Sequence, residues 1–374
     1  MSKRTRLGIL FGGRSGEHEI SLESAASIMG ALDPAKYEVV PIGITREGRW
    51  LAGPEAIGKG PEESMRRVLQ SGKPVTASVD PTGPQLIPLN SRLPSKRADQ
   101  TQVDVIFPVL HGTFGEDGTV QGLLELAGIP YVGAGVLGSA AGMDKDVMKR
   151  LFRDAGLPVA QWLLVLRSEW QENPAGIRRA IAKQIGYPLF VKPANLGSSV
   201  GIRKVHRVAE LNAAVENAAR YDRKILAEKA VNAREIECAV LGNDQPQASV
   251  PGEVVPVNEF YDYEAKYLKA GSELIIPARL TATQTRRVRD CAVRAFRAVD
   301  CAGMARVDML MDRKTGKIFV NEINTIPGFT SISMYPKLWE ASGIPYRELI
   351  DRLVALALER HRQKTKTIFS LGER

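Results

Sequence analysis

The stretch from Met304 to Met334 constrains the fold of this 374-residue chain most strongly. It contains two short apolar runs, Ala305 to Met311 and Lys317 to Ile323, each with the length and composition of a β-strand. Between them lies the polar segment 312–316, which ends in glycine, the residue that turns favour where the backbone needs a positive φ. The pattern therefore predicts an antiparallel hairpin.

Four polar side chains have defined positions on this hairpin. Because side chains alternate across a strand, Arg306 and Asp308 share one face of the first strand. By the same rule, Glu322 and Asn324 share one face at the end of the second strand. If both faces look into a cleft, two carboxylates and an amide oxygen meet there, and such hard oxygen ligands suit Mg²⁺. The alternative is that the two carboxylates form the solvated face of an antiparallel pair.

Length and composition allow several domains with real hydrophobic cores, since 44% of the residues are apolar. No apolar run reaches the ~20 residues of a membrane span, and the first residues lack the features of a signal peptide. We therefore expect a cytoplasmic protein with no membrane partner. Cys238, Cys291 and Cys301 have neither metal nor disulfide spacing and are expected to be reduced and buried. The net charge of +9 is spread along most of the chain, so we expect no nucleic-acid partner.

The first region, about 4–136, alternates strands with helices. Strands are expected at Leu7 to Phe11, Tyr37 to Ile44 and Val103 to Val109, and helices at Ser21 to Leu32 and near Val120 to Ala127. This order predicts a parallel sheet that binds ligands at the carboxyl ends of its strands. Residues 52–100 are rich in glycine, proline and serine, and are expected to form an extended excursion from that sheet.

Two nucleotide-binding motifs are matched only in part. Gly133 to Gly138 has the spacing G-x-G-x-x-G, but no acidic residue ends a strand about 20 positions later, where a ribose would need one. Gly53 to Lys59 imitates a P-loop, yet Gly60 replaces the metal-binding hydroxyl residue. Because Pro61 follows, no phosphate-capping helix is expected to start there. Neither segment is expected to bind a nucleotide.

Two loops with charged residues follow strands of the first region. Glu17 lies where a strand end meets a cleft, and its carboxylate could hold a substrate ammonium group. The alternative is a first-turn acid that complements a helix dipole. His111 follows the third expected strand and begins a loop that contains Glu116. A lone histidine in such a loop is also found simply bonded to backbone, and the sequence leaves that choice open.

The second region, about 138–237, has the pattern of a nucleotide site. A helix with Lys145 and Lys149 is followed by a strand at Trp162 to Leu166, a helix that begins at Pro174 and a strand at Leu189 to Lys192. The glycines and serines of 193–201 let a backbone close over phosphates, although an ordinary flexible hairpin is the alternative.

The strand and linker at 225–231 complete this pattern. They offer an apolar seat for adenine, and the backbone at Lys229 to Val231 could read the adenine edge. The carboxylate of Glu228 could accept hydrogen bonds from the ribose hydroxyls, and a second carboxylate, Glu235, follows.

The third region, about 238–374, begins with strands and continues into a polar, aromatic loop at 258–277. This loop has no clear apolar period, as expected for a mobile lid, and simple disorder is the alternative. A helix from about Thr283 to Val299 leads into the hairpin. The segment 325–334 after it is rich in small and hydroxyl residues whose backbone amides suit an oxyanion. A last amphipathic helix, which begins at Pro345, is expected to cover the sheet.

Taken in this order, these segments resemble the D-alanine:D-alanine ligases, a family of the ATP-grasp superfamily. The hairpin and the segment after it, RVD and NEINTIPGFTSIS, look like the metal-binding end of that family. The other matching segments are GG-x-S-x-E, HG-x-x-GEDG, KP with GSSVG, EK with RE, and YDYEAKY. The resemblance covers nearly the whole chain, and 52–100 is the main unmatched part.

The resemblance implies a role for each matching residue. Catalytic roles fall to Glu17, Ser198, Tyr267, Arg306, Gly328 and Ser333; substrate contacts to Glu17, His111, Ser333 and Met334; ATP contacts to Lys145, Lys192, Ser199, Glu228, Lys229, Val231, Glu235 and Lys266; and metal contacts to Asp308, Glu322 and Asn324. Glu17 would hold the ammonium group of the first D-alanine, and His111 would lie beside its carboxylate, supported by Glu116. Arg306 and the Gly328 amide would face the developing oxyanion.

The implied fold is α/β, with an N-terminal parallel-sheet domain followed by two α+β domains that sandwich ATP. We expect these domains at 1–137, 138–237 and 238–374. The implied reaction joins two D-alanines through an acyl phosphate, for peptidoglycan precursor synthesis, in a homodimer with two Mg²⁺ or Mn²⁺ ions per active site. The alternatives are a D-alanine:D-lactate or D-serine ligase, or another ATP-grasp carboxylate:amine ligase. The latter would share the lysines and metal ligands but lack HG-x-x-GEDG with YDYEAKY.

Overall fold

The computed structural model describes residues 3–53, 60–80, 86–89, 102–255 and 273–368. Within these ranges, three β-sheets follow one another along the chain, and helices pack on each of them. The expected order of a parallel-sheet unit followed by two α+β units is confirmed.

The first sheet has parallel strands at its centre. β1 (Thr5–Gly12) pairs in parallel with β2 (Tyr37–Ile44) on one side and with β6 (Val105–Val109) on the other. All five residues of β6 are buried, as a continuous apolar run predicts for a strand covered on both faces. Helix α1 (His18–Ala31) connects β1 to β2, and α3 (Thr119–Leu126) follows β6.

The segment 52–100 is not the extended excursion that its composition predicts. Its described parts form α2 (Pro61–Ser71), β4 (Lys73–Ala77) and β5 (Leu86–Pro88), which with β3 (Trp50–Ala52) continue the first sheet beyond β2 in antiparallel pairing. The helix begins at Pro61, although the sequence-based prediction has no helix start there. A proline is tolerated at the first helical position because the backbone amide that it lacks would have no partner within the helix. Such short strands leave too little alternation for sequence analysis to detect.

The second sheet is antiparallel, with the strand order β7, β10, β8, β9. Its strands are β7 (Trp162–Leu166), β8 (Leu189–Pro193), β9 (Arg203–Val205) and β10 (Lys224–Lys229). The helices of this part of the chain are α4 (Val136–Met143), α5 (Lys145–Asp154), α6 (Arg167–Glu172), α7 (Pro174–Gln184) and α8 (Val208–Ala219). The expected helix on Lys145, the strand at Trp162–Leu166 and the helix start at Pro174 are confirmed.

The third sheet contains the predicted hairpin. Its order is β14, β13, β11, β15, β16, with β12 paired to β11. The elements are β11 (Ala233–Gly242), β12 (Gln247–Ala248), β13 (Gly252–Val255), β14 (Glu273–Ile275), α9 (Ala282–Ala298), β15 (Gly303–Asp312), β16 (Ile318–Asn324), α10 (Met334–Glu340) and α11 (Tyr346–Lys364). Gly316 in the hairpin turn has a φ of +67°, which explains the glycine there. The expected boundary after residue 237 falls inside β11, and the division into three domains stays a prediction.

One hydrophobic cluster joins the first sheet to the third. It includes Phe107 of β6, Phe329 after β16 and Leu353 of α11, whereas the second sheet has a cluster of its own around Val191 and Ile225. Helix α11 contacts α1 and β6 as well as β11 and β15, so it covers two sheets rather than one. The cysteines are reduced and buried, as expected. No helix within the described ranges is long and apolar enough to cross a membrane.

Candidate active site

A cleft between the second and third sheets brings together most of the residues expected to bind ATP and metal. The loop between β8 and β9 contributes to one wall, and the hairpin of β15 and β16 contributes to the other. The expected residues that line the cleft are Lys192, Ser199, Glu228, Lys229, Val231, Glu235, Asp308 and Glu322. The phosphate side and the metal side of the sequence prediction therefore meet in one place.

Glu228 lies in this cleft between two lysines. Lys192 Nζ donates a hydrogen bond to Glu228 Oε1 at 2.8 Å, and Lys149 Nζ lies 2.8 Å from Oε2. The side chains of Glu228 and Lys149 are only 2% and 1% exposed. Burial opposes the charge of Glu228, but the two ammonium groups outweigh burial and hold its pKa below the usual range. Because a lysine lies at each carboxylate oxygen, Glu228 is poorly placed to accept hydrogen bonds from a ribose.

Two of the backbone amides that the sequence predicts to read adenine already donate hydrogen bonds within the protein. The amide of Lys229 donates to the carbonyl of Gln161 at 2.8 Å, and the amide of Ala230 donates to Pro188 at 3.2 Å. These amides are used within the fold, so Val231 and the backbone carbonyls are left to read an adenine edge. Glu235 of β11 lines the same cleft and is partly exposed, which makes it the better-placed carboxylate for a ribose.

The loop between β8 and β9 has an unusual backbone. Ser198 and Ser199 have positive φ angles of 50° and 57°, a conformation that costs roughly 1 kcal/mol or more in residues other than glycine and persists only when neighbours hold it. Lys145 anchors the start of this loop, since its Nζ donates to the carbonyl of Leu196 at 2.8 Å. The same Nζ lies 3.8 Å from a carboxylate oxygen of Glu322. Lys145 therefore lies between the expected phosphate loop and the expected metal ligands.

The hairpin places its polar residues as strand alternation predicts. Asp308 lies opposite Glu322, and Arg306 lies opposite Asn324. Arg306 Nε and Nη2 each lie 2.7 Å from an oxygen of Asp308, and Nε is also 2.9 Å from Glu237 on β11. Arg306 and Asp308 are each only 15% exposed, which argues against a simple solvated face.

The donor chemistry of this corner fits a divalent cation. Asp308 and Glu322 supply carboxylates, and Asn324 supplies an amide oxygen that also accepts the amide of Ile326 at 3.1 Å. In the described part of the chain, no group of three His, Cys, Asp or Glu side chains is gathered as a metal centre. A cation here would therefore take its remaining ligands from amide oxygen, water and phosphate, as Mg²⁺ commonly does.

Glu17 connects the first sheet to the phosphate loop. It directly precedes α1, and Ser198 Oγ donates a hydrogen bond to its Oε1. A Cβ added to Gly112 would lie 2.7 Å from Glu17 Oε2, and one added to Gly197 would lie 2.9 Å from it. Backbone from two regions therefore encloses this carboxylate. Because Glu17 lies at the start of a helix, the helix-dipole alternative also holds. The hydrogen bond from Ser198 shows in addition that Glu17 links the first region to the phosphate loop.

His111 is buried between the first sheet and the segment after β16. Its Nδ1 donates to the carbonyl of Ile326 at 3.1 Å and lies 3.6 Å from Glu116 Oε1, while Nε2 is 3.2 Å from Ser24 Oγ. Burial, the largest single effect, works to lower the pKa of His111, but Glu116, Glu17 and the Ile326 carbonyl together outweigh it and the pKa is raised. Burial raises the pKa of Glu116 to about 7, against the opposing effect of His111. The backbone-bonded alternative is thus correct in part, although the bonded carbonyl is far away in sequence.

Gly328 and Ser333 lie next to each other in the segment after β16. The amide of Thr330 donates to Ser333 Oγ at 3.0 Å, and a Cβ added to Gly328 would lie 2.8 Å from the same oxygen. Ser333 directly precedes α10, whose first residue is Met334. Of the expected oxyanion and substrate residues, Gly328, Ser333 and Met334 therefore lie together. Lys266 and Tyr267, like most of the expected lid at 258–277, lie outside the described residues.

Comparison with known families shows which family the chain belongs to. Residues 6–134 match the family model described as the D-ala D-ala ligase N-terminus, and residues 151–355 match the D-ala D-ala ligase C-terminus. The chain belongs to the D-alanine–D-alanine ligase family. Members of this family use ATP and act on small molecules such as D-alanine.

Relatives of known name extend over the whole length of this family member. The D-alanine–D-alanine ligase of Heliobacterium modesticaldum is 53% identical over 98% of each chain. The solved D-alanine–D-alanine ligase from Coxiella burnetii is 38% identical with a TM-score of 0.82, and the alignment covers 97% of this chain and 98% of that one. The VanG D-Ala:D-Ser ligase from Enterococcus faecalis is 36% identical with a TM-score of 0.83, covering 95% of this chain and 100% of that one. Ligases with different second substrates thus share the fold.

Three residues of this ligase-family site were not among the sequence-based site residues. Lys149 lies four positions after Lys145 on the same helix, and that spacing signals that both lysines share a face. Glu237 lies two positions after Glu235 on β11, so strand alternation could have placed both on one face. Ser24 carries no local signal, because its partners His111 and Phe329 are 87 and 305 residues away.

Proposed function

We propose that this chain uses ATP to join two D-alanine molecules into D-alanyl-D-alanine for peptidoglycan precursor synthesis. The observation that carries the proposal is the hydrogen bond from Ser198 to Glu17. Ser198 belongs to the loop expected to close on phosphates, and Glu17 belongs to the loop expected to hold the substrate ammonium. An amino acid held at Glu17 would therefore have its carboxylate near the terminal phosphate of ATP.

ATP would occupy the cleft between the second and third sheets. We place its adenine against Lys229 and Val231, and its ribose at Glu235 rather than at Glu228. Its phosphates would lie between the loop of Ser199 and the ammonium groups of Lys145 and Lys192, where positive charge already surrounds the loop. Lys266 of the lid would add a further phosphate contact.

The reaction would proceed in two displacements. First, a carboxylate oxygen of one D-alanine attacks the γ-phosphorus of ATP, the bond to the bridging oxygen breaks, and an acyl phosphate and ADP form. Next, the neutral amine of a second D-alanine attacks the acyl carbon, and the tetrahedral intermediate expels inorganic phosphate and loses a proton. No side chain need become a covalent nucleophile, so catalysis would rest on positioning and charge stabilisation.

The side chains divide this work according to where charge develops. Arg306 and the Gly328 amide would stabilise the oxyanion of the tetrahedral intermediate. Ser333 and the Met334 amide would bind the carboxylate of the second D-alanine. His111, whose raised pKa favours positive charge, would lie beside the carboxylate of the first.

Asp308, Glu322 and Asn324 would hold Mg²⁺ or Mn²⁺, with two ions per active site. Such ions neutralise the charge that develops on the phosphates during transfer. We further propose a cytoplasmic homodimer, because the family resemblance implies a dimer and the cytoplasm supplies ATP. Sedimentation analysis should then give about twice the 40.9 kDa mass of one chain.

Phosphate release provides the direct test. With ATP and Mg²⁺, D-alanine should give phosphate and D-alanyl-D-alanine in equal amounts, whereas L-alanine should give neither. Phosphate release with L-alanine, or without any amino acid, would indicate a different carboxylate:amine ligase or an ATPase.

The second substrate needs its own experiment, since a D-Ala:D-Ser ligase shares this fold. The lid sequence contains Lys266 and Tyr267 in the pattern of the D-alanine enzymes. In competition between D-alanine, D-lactate and D-serine near neutral pH, we expect D-alanyl-D-alanine to be the main product on chromatography. Tyr267→Phe should weaken this preference, because it removes the hydroxyl group that the family resemblance pairs with Ser198. A mostly D-lactate or D-serine product would assign the chain to the other branch.

A further inference from the structure

Helix α1 has three serines on one face, at Ser21, Ser24 and Ser27, and the hydroxyl of each contacts a different part of the fold. Ser21 Oγ accepts the amide of Gly12 at 2.8 Å and donates to the carbonyl of Val109, so its contacts lie within the first sheet. The contacts of Ser24 and Ser27 instead lead to the segment after β16. The hydroxyl of Ser21 therefore stabilises the first sheet, whereas those of Ser24 and Ser27 link α1 to the C-terminal region.

Phe329, the residue after Gly328, is held at both ends of its backbone. Its amide donates to Ser24 Oγ at 3.2 Å. Its carbonyl accepts from the hydroxyl of Tyr346 at 2.9 Å, and that hydroxyl lies 2.9 Å from Ser27 Oγ. Its ring packs edge-on against Phe107 of the first sheet, with centroids 5.6 Å apart. The N-terminal sheet and its helix, together with Tyr346 of α11, thus fix one residue of the C-terminal region.

The hydrogen bonds around Ser24 form a consistent chain. His111 Nδ1 must donate to Ile326, because a carbonyl can only accept. When the imidazole is neutral, Nε2 is therefore an acceptor, and Ser24 donates to it while accepting from Phe329. When the imidazole is protonated, Ser24 Oγ can accept from both. Either state keeps the Phe329 amide bonded to Ser24.

We propose that Ser24 is a positioning residue: by fixing the Gly328–Phe329 peptide it limits backbone rotation at Gly328, and so it holds the Gly328 amide, which belongs to the preceding peptide, toward the oxyanion. A peptide unit is planar, so holding the amide of Phe329 also fixes the carbonyl of Gly328 and restricts rotation about that glycine. Ser333 confines the glycine on its other side, because its Oγ would lie 2.8 Å from a Cβ added to Gly328. The inference rests on the proposed function, because Gly328 matters only if an oxyanion develops there.

Ser24→Ala and Ser21→Ala form a matched pair, since both hydroxyls are fully buried and each has two partners. We expect Ser24→Ala to lower kcat for D-alanyl-D-alanine by about tenfold or more, because small misplacements of a catalytic group have effects of this size. The KM for ATP should change by less than about twofold, since the nucleotide contacts stay intact. Ser21→Ala should lower the thermal midpoint similarly but keep the kcat of the unchanged protein. Ser24→Thr, which keeps a hydroxyl, should recover part of the loss.

Hydrogen exchange of the segment 325–333, followed by mass spectrometry, gives a readout that does not depend on activity. Ser24→Ala should speed exchange of the Phe329 amide, and Ser21→Ala should not. If Ser24→Ala does not fold, Tyr346→Phe loosens the other end of Phe329 and should lower kcat by a smaller factor. Equal kcat values for Ser24→Ala and Ser21→Ala, or unchanged exchange at Phe329, would overturn the proposal. If the unchanged protein makes no dipeptide, but the variants show the expected hydrogen exchange, the proposed function is refuted and the positioning by Ser24 is not.

Discussion

Two clusters of ion pairs face the same cleft. Counted over the described residues, one cluster has a net positive charge and the other has a net negative charge. The cluster of Glu228 with Lys149 and Lys192 has two cations for one carboxylate and is almost fully buried. The cluster of Arg306 with Asp308 and Glu237 has two carboxylates for one cation and keeps some exposure. A fold would rarely gather charge of one sign for stability alone, since buried charge is costly unless it is paired.

The difference assigns a task to each wall of the cleft. The surplus positive charge lies where phosphates are expected, and the surplus negative charge lies where a divalent cation is expected. Each wall therefore suits its own part of a metal–nucleotide pair. The sign of the excess charge, rather than the number of ion pairs, distinguishes a binding wall from an ordinary salt bridge.

The largest effect should follow loss of the single carboxylate in the buried cluster. Glu228→Gln leaves two buried lysines without this counterion and should lower the free energy of unfolding by about 3 to 5 kcal/mol. Lys149→Met is the matched control, because it leaves a neutral pair of Glu228 and Lys192 and should have a much smaller effect. Urea denaturation measures both. Equal losses would show that the cluster is held by packing rather than by charge balance.

The next effect concerns the wall with surplus negative charge. Glu322→Gln should leave the protein folded but reduce turnover by about 10²-fold or more, as loss of a key electrostatic group does. The exposed Glu340→Gln on α10 serves as a control for the loss of one negative charge. Higher Mg²⁺ or Mn²⁺ should partly restore the activity of Glu322→Gln. Near-normal dipeptide formation by this variant would remove Glu322 from the metal site.

A somewhat smaller effect is expected from the cation of that wall. Arg306→Ala should reduce turnover by about 10²-fold, the usual effect of losing one oxyanion donor, while the KM for ATP changes much less. Arg306→Lys keeps the charge but loses the bidentate geometry, so it should recover only part of the rate. If the rate and the affinity for ATP fall equally, Arg306 binds phosphate in the ground state.

The smallest effect is a change in how stability depends on pH. The pKa of Glu116 is raised to about 7 and that of His111 is also raised, so the folded state binds more protons than the unfolded state. Stability from this pair is therefore present at low pH and is lost as the pH rises through about 7. Glu116→Gln should flatten this fall in urea denaturation between about pH 5 and 8. If stability fell more steeply with pH in Glu116→Gln than in the unchanged protein, the pair of Glu116 and His111 would bind fewer protons in the folded than in the unfolded state.

The residue pattern predicts contacts whose geometry is local, but not contacts between distant parts of the chain. Strand alternation predicted that Asp308 and Glu322 could meet in one cleft, and the structure pairs them across the hairpin, because two strands and a tight turn determine which side chains face each other. The sequence-based prediction missed α2 and the short strands around it, whose place is set by the edge of the first sheet. Nothing near Glu228 in the sequence indicates that Lys149 contacts it from another element, so the predicted ribose contact took no account of this ion pair. No role was predicted for Ser24, whose partner Phe329 lies 305 residues away.

The cluster that α11 completes has a consequence for synthesis on the ribosome. Chains emerge from the N-terminus, and domains generally fold as they appear. Here one face of the first sheet has a buried cluster of its own, but the other face shares its cluster with Leu353 and its neighbours, which come late in the chain. The second sheet has a cluster of its own, so it can close while the rest of the chain is still being made. One face of the part of the protein that emerges first is therefore among the last to be covered.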